Sequence, residues 1–137
     1  MSPPAPLAAT ALVALGGGLG AALRYQFGRL VRHTLGAHAT DVFPWATLGV
    51  NLVGSLAMGL LAGWLARGLP PGPWGSEAWR LGLGVGVLGG FTTFSAFSLE
   101  LVLLAERGAW GLALAYAALS LLGGSLALGL GLWTMRA

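Results

Sequence analysis

The chain has 137 residues, of which 56% are hydrophobic and only 8% charged, and its mean hydropathy is +0.81. That supplies too little polar surface for a soluble globule and places the chain in a bilayer. The net charge of +3 is carried by arginines scattered among apolar stretches, which make no basic stripe for nucleic acid, and the absence of cysteine removes disulfides, thiolate metal sites and cysteine nucleophiles. At about 20 residues per span, the length allows four transmembrane helices in a single domain over residues 1–137 and no soluble domain.

The first span is expected from about Leu7 to Leu30. Pro3, Pro4 and Pro6 precede it without a basic n-region, and no clear cleavage site follows, so it reads as a span and not as a removed signal. Gly16, Gly17, Gly20 and Ala21 give it a surface that a neighbouring backbone can approach closely, which is how helices associate in lipid. Arg24 follows that surface, either as an arginine snorkelling to the interface or as one attracting an anion at a vestibule. His33 to Asp41 is polar, and Phe43-Pro44-Trp45 marks the return to the membrane.

The second span is expected over residues 45–66. Thr47, Asn51 and Ser55 fall four residues apart on one face. An asparagine at this depth needs a partner, so Asn51 either bonds a neighbouring helix or lines a path for a polar permeant. Gly59 and Gly63 form a Gly-x-x-x-Gly packing pair. Arg67 to Trp79, with Pro70, Pro71, Gly72, Pro73 and Gly75, reads as the longest loop.

The third span is expected over residues 80–104, interrupted by Gly89-Gly90-Phe91-Thr92-Thr93-Phe94-Ser95-Ala96-Phe97-Ser98. Two adjacent glycines weaken a helix, and Thr-Thr-Phe-Ser brings polar groups to a depth where lipid offers no partners, so the interruption reads as a site. Gly84-x-Gly86-x-x-Gly89 matches a dinucleotide fingerprint by letters alone; no strand–turn–helix unit or following acid accompanies it, and helix packing explains it better. Phe94 and Phe97 share a face, and the positive edges of two rings can attract a small anion beside amide and hydroxyl donors. Glu100, one turn beyond Ala96, is either an interfacial acid or a polar member of a path.

The fourth span is expected over residues 109–133, with Tyr116 and Ser120 on one face. With four spans, Arg67, Arg80 and Arg136 lie on one side of the membrane and Arg29, Arg32 and Arg107 on the other. Equal numbers leave the positive-inside rule undecided, which suits a chain inserted both ways and an antiparallel dimer. His33 and His38 have no partner at metal-ligand spacing, and the acids stand singly, so no catalytic constellation and no enzyme is expected.

Three stretches then carry a resemblance: Gly17-x-x-Gly20-Ala21-x-x-Arg24-Tyr25, Thr47-Leu48-x-Val50-Asn51-x-x-Gly54-Ser55, and Gly89 through Glu100. Over nearly its full length the chain resembles the Fluc/CrcB fluoride channels. The resemblance implies an all-α membrane protein with four helices per subunit and a broken third helix, in an antiparallel, dual-topology homodimer with two pores. It implies passive, selective fluoride export across the cell (inner) membrane. Carried over by position, Phe94 and Phe97 resemble the pore aromatics, Asn51 the pore asparagine and Arg24 the vestibule arginine. Thr47, Glu100, Tyr116 and Ser120 resemble polar groups along the route. Gly89 and Thr92 resemble positions whose backbone carbonyls, from both subunits, hold a structural Na+ at the interface. Ala96 and Gly124 depart from the pattern, since threonine is common at the first position and a serine can occur at the second. The rival readings are a proton-coupled small multidrug exporter, which needs a carboxylate in the first helix that this chain lacks, and a non-transporting membrane assembly subunit.

Overall fold

A computed structural model describes residues 4–68 and 75–136. Six helices are present among them: α1 (Pro6–Leu35), α2 (Ala37–Val42), α3 (Trp45–Ala66), α4 (75–91), α5 (Phe94–Glu106) and α6 (Trp110–Arg136). Helix α4 and helix α5 form one interrupted span, so four helical units are long and apolar enough to cross a membrane.

The expected second span coincides with α3, while the others extend past their expected ends. Helix α1 has Pro6 at its first turn, where a missing N–H costs nothing, and it continues through Arg29, Arg32 and His33 until Gly36 turns the chain with a φ of 83°. The helix outruns the apolar stretch that ends at Leu30, because charged residues outside the hydrocarbon are good helix formers. Part of the expected polar segment is therefore α2. Within the expected 67–79 loop, Gly75–Trp79 is already helical, whereas Pro70, Pro71, Gly72 and Pro73 lie outside the described residues.

Glycines bring the helices together in two pairs. A methyl group added at Gly16 would stand 2.5 Å from the Gly82 carbonyl, one at Gly20 would overlap the Val87 carbonyl, and one at Gly90 would overlap the Gly17 carbonyl. These contacts seat α1 on α4 at backbone distance. Helices α3 and α6 meet in the same way, since a methyl at Gly59 would overlap the Leu128 carbonyl and one at Gly131 would lie 2.5 Å from the Leu56 carbonyl. Lipid tails are as apolar as leucine, so close backbone packing supplies the attraction that water-driven burial supplies elsewhere. Gly86 of the rejected fingerprint is part of the first seam, 3.0 Å in the same sense from the Gly16 Cα.

Helix α4 widens to π-type turns over Arg80–Leu88, with the Gly89 N–H reaching back to the Gly84 carbonyl, and α6 does so over Leu119–Gly123. A small core of Phe43, Leu48, Phe97, Leu104, Ala113 and Tyr116 packs between α3, α5 and α6.

Candidate functional site

The interruption lies two residues later than its glycines suggest. Gly89, Gly90 and Phe91 are helical, and the backbone extends only at Thr92 (ψ 159°) and Thr93 (φ −153°). Close approach to α1, and not helix breaking, is what the glycine at 90 supplies. Both threonines end and restart the helix with their side chains. The Thr92 N–H and hydroxyl each donate to the Leu88 carbonyl at 2.9 Å, and Thr93 caps α5 by accepting from the Ala96 N–H at 3.3 Å.

Asn51 holds the extended strand from α3. Its Oδ1 accepts from the Thr93 N–H at 2.9 Å and its Nδ2 donates to the Thr93 carbonyl at 3.2 Å, which satisfies at membrane depth the two groups that lipid cannot. Gly54, about one turn further along α3, gives the room that the Thr92 methyl fills. This pairing has a consequence for the carbonyls. In an unbroken helix the Gly89 carbonyl would accept from Thr93 N–H and the Thr92 carbonyl from Ala96 N–H, yet both donors are used by Asn51 and by the Thr93 hydroxyl. Two hard oxygen acceptors are thereby released from those bonds, a donor set that fits a hard cation. The Thr92 carbonyl accepts only a long bond from Arg24 Nη1, at 3.4 Å. Arg24 thus lies well inside α1 at the level of the break and not at a span's end.

Below the break, three helices contribute two layers. Asn51, Phe97 and Ser120 form the first layer, and Thr47, Tyr116 and Glu100, each about one turn away on the same three helices, form the second. The first layer lines a groove of about 290 Å³ together with Ser55, Thr93 and Phe94. The Ser120 hydroxyl is buried with no hydrogen-bond partner, in the widened part of α6. In the second layer the Glu100 carboxyl accepts from the Thr47 hydroxyl at 2.7 Å and from the Tyr116 hydroxyl at 2.6 Å. Glu100 is therefore an interior group bridging α3 and α6. The rings run in a line, with Phe94 5.7 Å from Phe97, Phe97 5.1 Å from Tyr116, and Tyr116 5.6 Å from Phe43. Phe97 is 7% exposed, but Phe94 is 75% exposed and leaves the groove open along one side.

The family description "CrcB-like protein, Camphor Resistance (CrcB)" matches residues 11–132, which include both layers and the break. The chain belongs to the CrcB family. Among its relatives, a protein of Novosphingobium aromaticivorans named "Fluoride-specific ion channel FluC" is 58% identical over 130 residues, covering 95% of this chain and 98% of the relative. Proteins of the same name from Erythrobacter litoralis and Caulobacter vibrioides (strain NA1000 / CB15N) are 57% identical over 120 residues and 46% over 125. They are covered over 86% and 93% of their lengths, for 88% and 91% of this chain.

In this CrcB chain the Thr47, Asn51 and Ser55 stripe faces one side as its spacing requires, and Tyr116 and Ser120 face it from α6. One member's role escaped sequence reasoning. Thr93 is both helix cap and Asn51's partner, and a threonine three residues before Ala96, at the restart of an apolar run, is the capping signal that points to it. Ser55 lines the groove beside Gly124, where an added methyl would lie 3.4 Å from its hydroxyl. Among the described residues no group of three or more His, Asp or Glu side chains is placed to hold a metal.

Proposed function

We propose that this chain is the subunit of a fluoride-selective channel that lets fluoride leave the cell passively and electrogenically through the inner membrane, lowering its toxicity. The observation that carries the reading is the 58% identity, over 95% of the chain, to a protein named as a fluoride-specific ion channel. The geometry supplies what such a channel needs. A small anion gives up its hydration on entering a narrow path, and donors must replace it. The Ser120 hydroxyl has no protein partner, Asn51 Nδ2 keeps one hydrogen beyond its bond to Thr93, and the ring edges of Phe94 and Phe97 add weak positive potential without holding the ion tightly. Glu100 orients the Thr47 and Tyr116 hydroxyls at the next layer.

The working unit is an antiparallel, dual-topology homodimer with two pores. Balanced arginines support both insertions, and a groove left open beside an exposed Phe94 is completed by a second copy. At the joint, the Gly89 and Thr92 carbonyls of each copy would hold a structural Na+, which supplies positive charge where the two breaks meet. A proton-coupled exporter is disfavoured because α1 carries no acidic side chain and the carboxyl at depth, Glu100, is engaged by two hydroxyls.

Purified dimers in sealed liposomes, read with a fluoride electrode, test the reading. Rapid electrogenic efflux of fluoride with none of chloride is expected, and its absence from verified vesicles overturns the channel. Phe94→Ile is expected to lower throughput while leaving the dimer intact; unchanged flux would reduce the ring to packing.

A further inference from the structure

We infer that the cavity roofed by α2 is the mouth at the Glu100 end of the fluoride path, and that Arg107 is the cation that draws the anion into it. The inference rests on the channel reading above. The cavity holds about 240 Å³ and is lined by Arg32, Asp41, Phe43, Glu100 and Arg107 among others, so it opens onto the second layer of the track through Glu100 itself. The first-layer groove lies one turn deeper on the same three helices. The two cavities are therefore the successive chambers of one route, separated by Phe97, Tyr116 and the hydroxyls bonded to Glu100.

Of the four charged side chains in this lining, Arg32 and Asp41 pair with each other and Glu100 is covered by two hydroxyls, which leaves Arg107 as the one engaged by neither an opposite charge nor a hydroxyl. Arg32 Nη1 donates to Asp41 Oδ1 at 2.9 Å, so these two charges cancel and brace the corner between α1 and α2. Arg107 has no carboxylate within ion-pair distance; its Nη1 donates to the Asp41 carbonyl at 3.1 Å and its Nε to the Leu103 carbonyl at 3.3 Å. Carbonyls fix the guanidinium in place without neutralising it. It also offsets the negative end of α5, which points into the same space and would otherwise repel fluoride. A fixed positive charge beside a mouth raises the local concentration of its counter-ion, and this effect weakens with ionic strength.

Because Arg107 also braces α2, the test reads the sign of a charge within one folded protein. The natural chain has no cysteine, so Arg107→Cys can be labelled in liposomes with thiol reagents that leave either a positive or a negative group. The concentration dependence of fluoride current is then measured for both adducts and for the wild type at low and high salt. The positive adduct is expected to half-saturate near the wild-type fluoride concentration, and the negative adduct at roughly threefold or more above it, a difference that shrinks in high salt. Equal curves for the two adducts, or a loss of maximal current that ignores the sign of the charge, overturn the steering role. A wild type that carries no fluoride overturns the channel reading and this inference with it, whereas wild-type flux with sign-blind adducts overturns the inference alone.

Discussion

Along the α1/α4 and α3/α6 seams, backbone meets backbone because side chains are missing; at residues 92–93, backbone meets side chains because its own partners are missing. Both regions lie at membrane depth. The seams stay helical and gain only dispersion, so where backbone touches backbone they tolerate no added atom. The break has given up helical bonds and recovers several of them from Asn51, Thr92 and Thr93, so it is sensitive to any lost partner atom. Shape decides the first region and chemistry the second.

The sharpest way to break this contrast is Gly20→Leu, whose side chain must displace the Val87 carbonyl and part α1 from α4. Overpacking against backbone falls at the upper end of the usual cost, about 3 kcal/mol, and little folded dimer is expected by size-exclusion chromatography. Normal recovery would show that the seam is not close-packed. Asn51→Leu keeps the size of the side chain but leaves the Thr93 N–H and carbonyl without partners. A loss of about 2–4 kcal/mol in detergent unfolding and abolished fluoride efflux are expected. Full stability in that variant would mean that the break finds its partners elsewhere. Tyr116→Phe removes one hydroxyl from Glu100 while preserving the ring contacts to Phe97 and Phe43. It is expected to cost about 1 kcal/mol and to reduce flux with the dimer intact, and wild-type flux would separate the second layer from the path. Gly17→Ala should change least, within about 0.5 kcal/mol, since a methyl there meets nothing within 4 Å although Gly20, one turn on, has no such room. A large loss at Gly17 would argue that the number of glycines, and not their geometry, makes the seam.

Much of the site was legible because its side chains repeat at helical spacing. Thr47, Asn51 and Ser55 declare one face of α3, and Tyr116 and Ser120 one face of α6, without knowledge of what stands opposite. The break was legible as a stretch, though not in its mechanism. Gly89 and Gly90 are helical, and the unwinding at Thr92 and Thr93 depends on an amide arriving from another helix. Arg24 and Glu100 each had two readings because charge and sequence position do not state depth. Their partners, the Thr92 carbonyl for one and the hydroxyls of Thr47 and Tyr116 for the other, place both inside.

By itself the sequence determined that this chain spans a membrane four times and that its third span is interrupted, because lipid imposes length and apolarity on every span and punishes exposed polar backbone. It also determined which residues share a face, since the helical period is local. Only the tertiary structure decided which glycines touch, that Asn51 completes the backbone of Thr93, and that Glu100 joins α3 to α6. Those pairings join residues 42, 53 and 16 positions apart. They follow from how the helices pack around one another, and no local pattern encodes that.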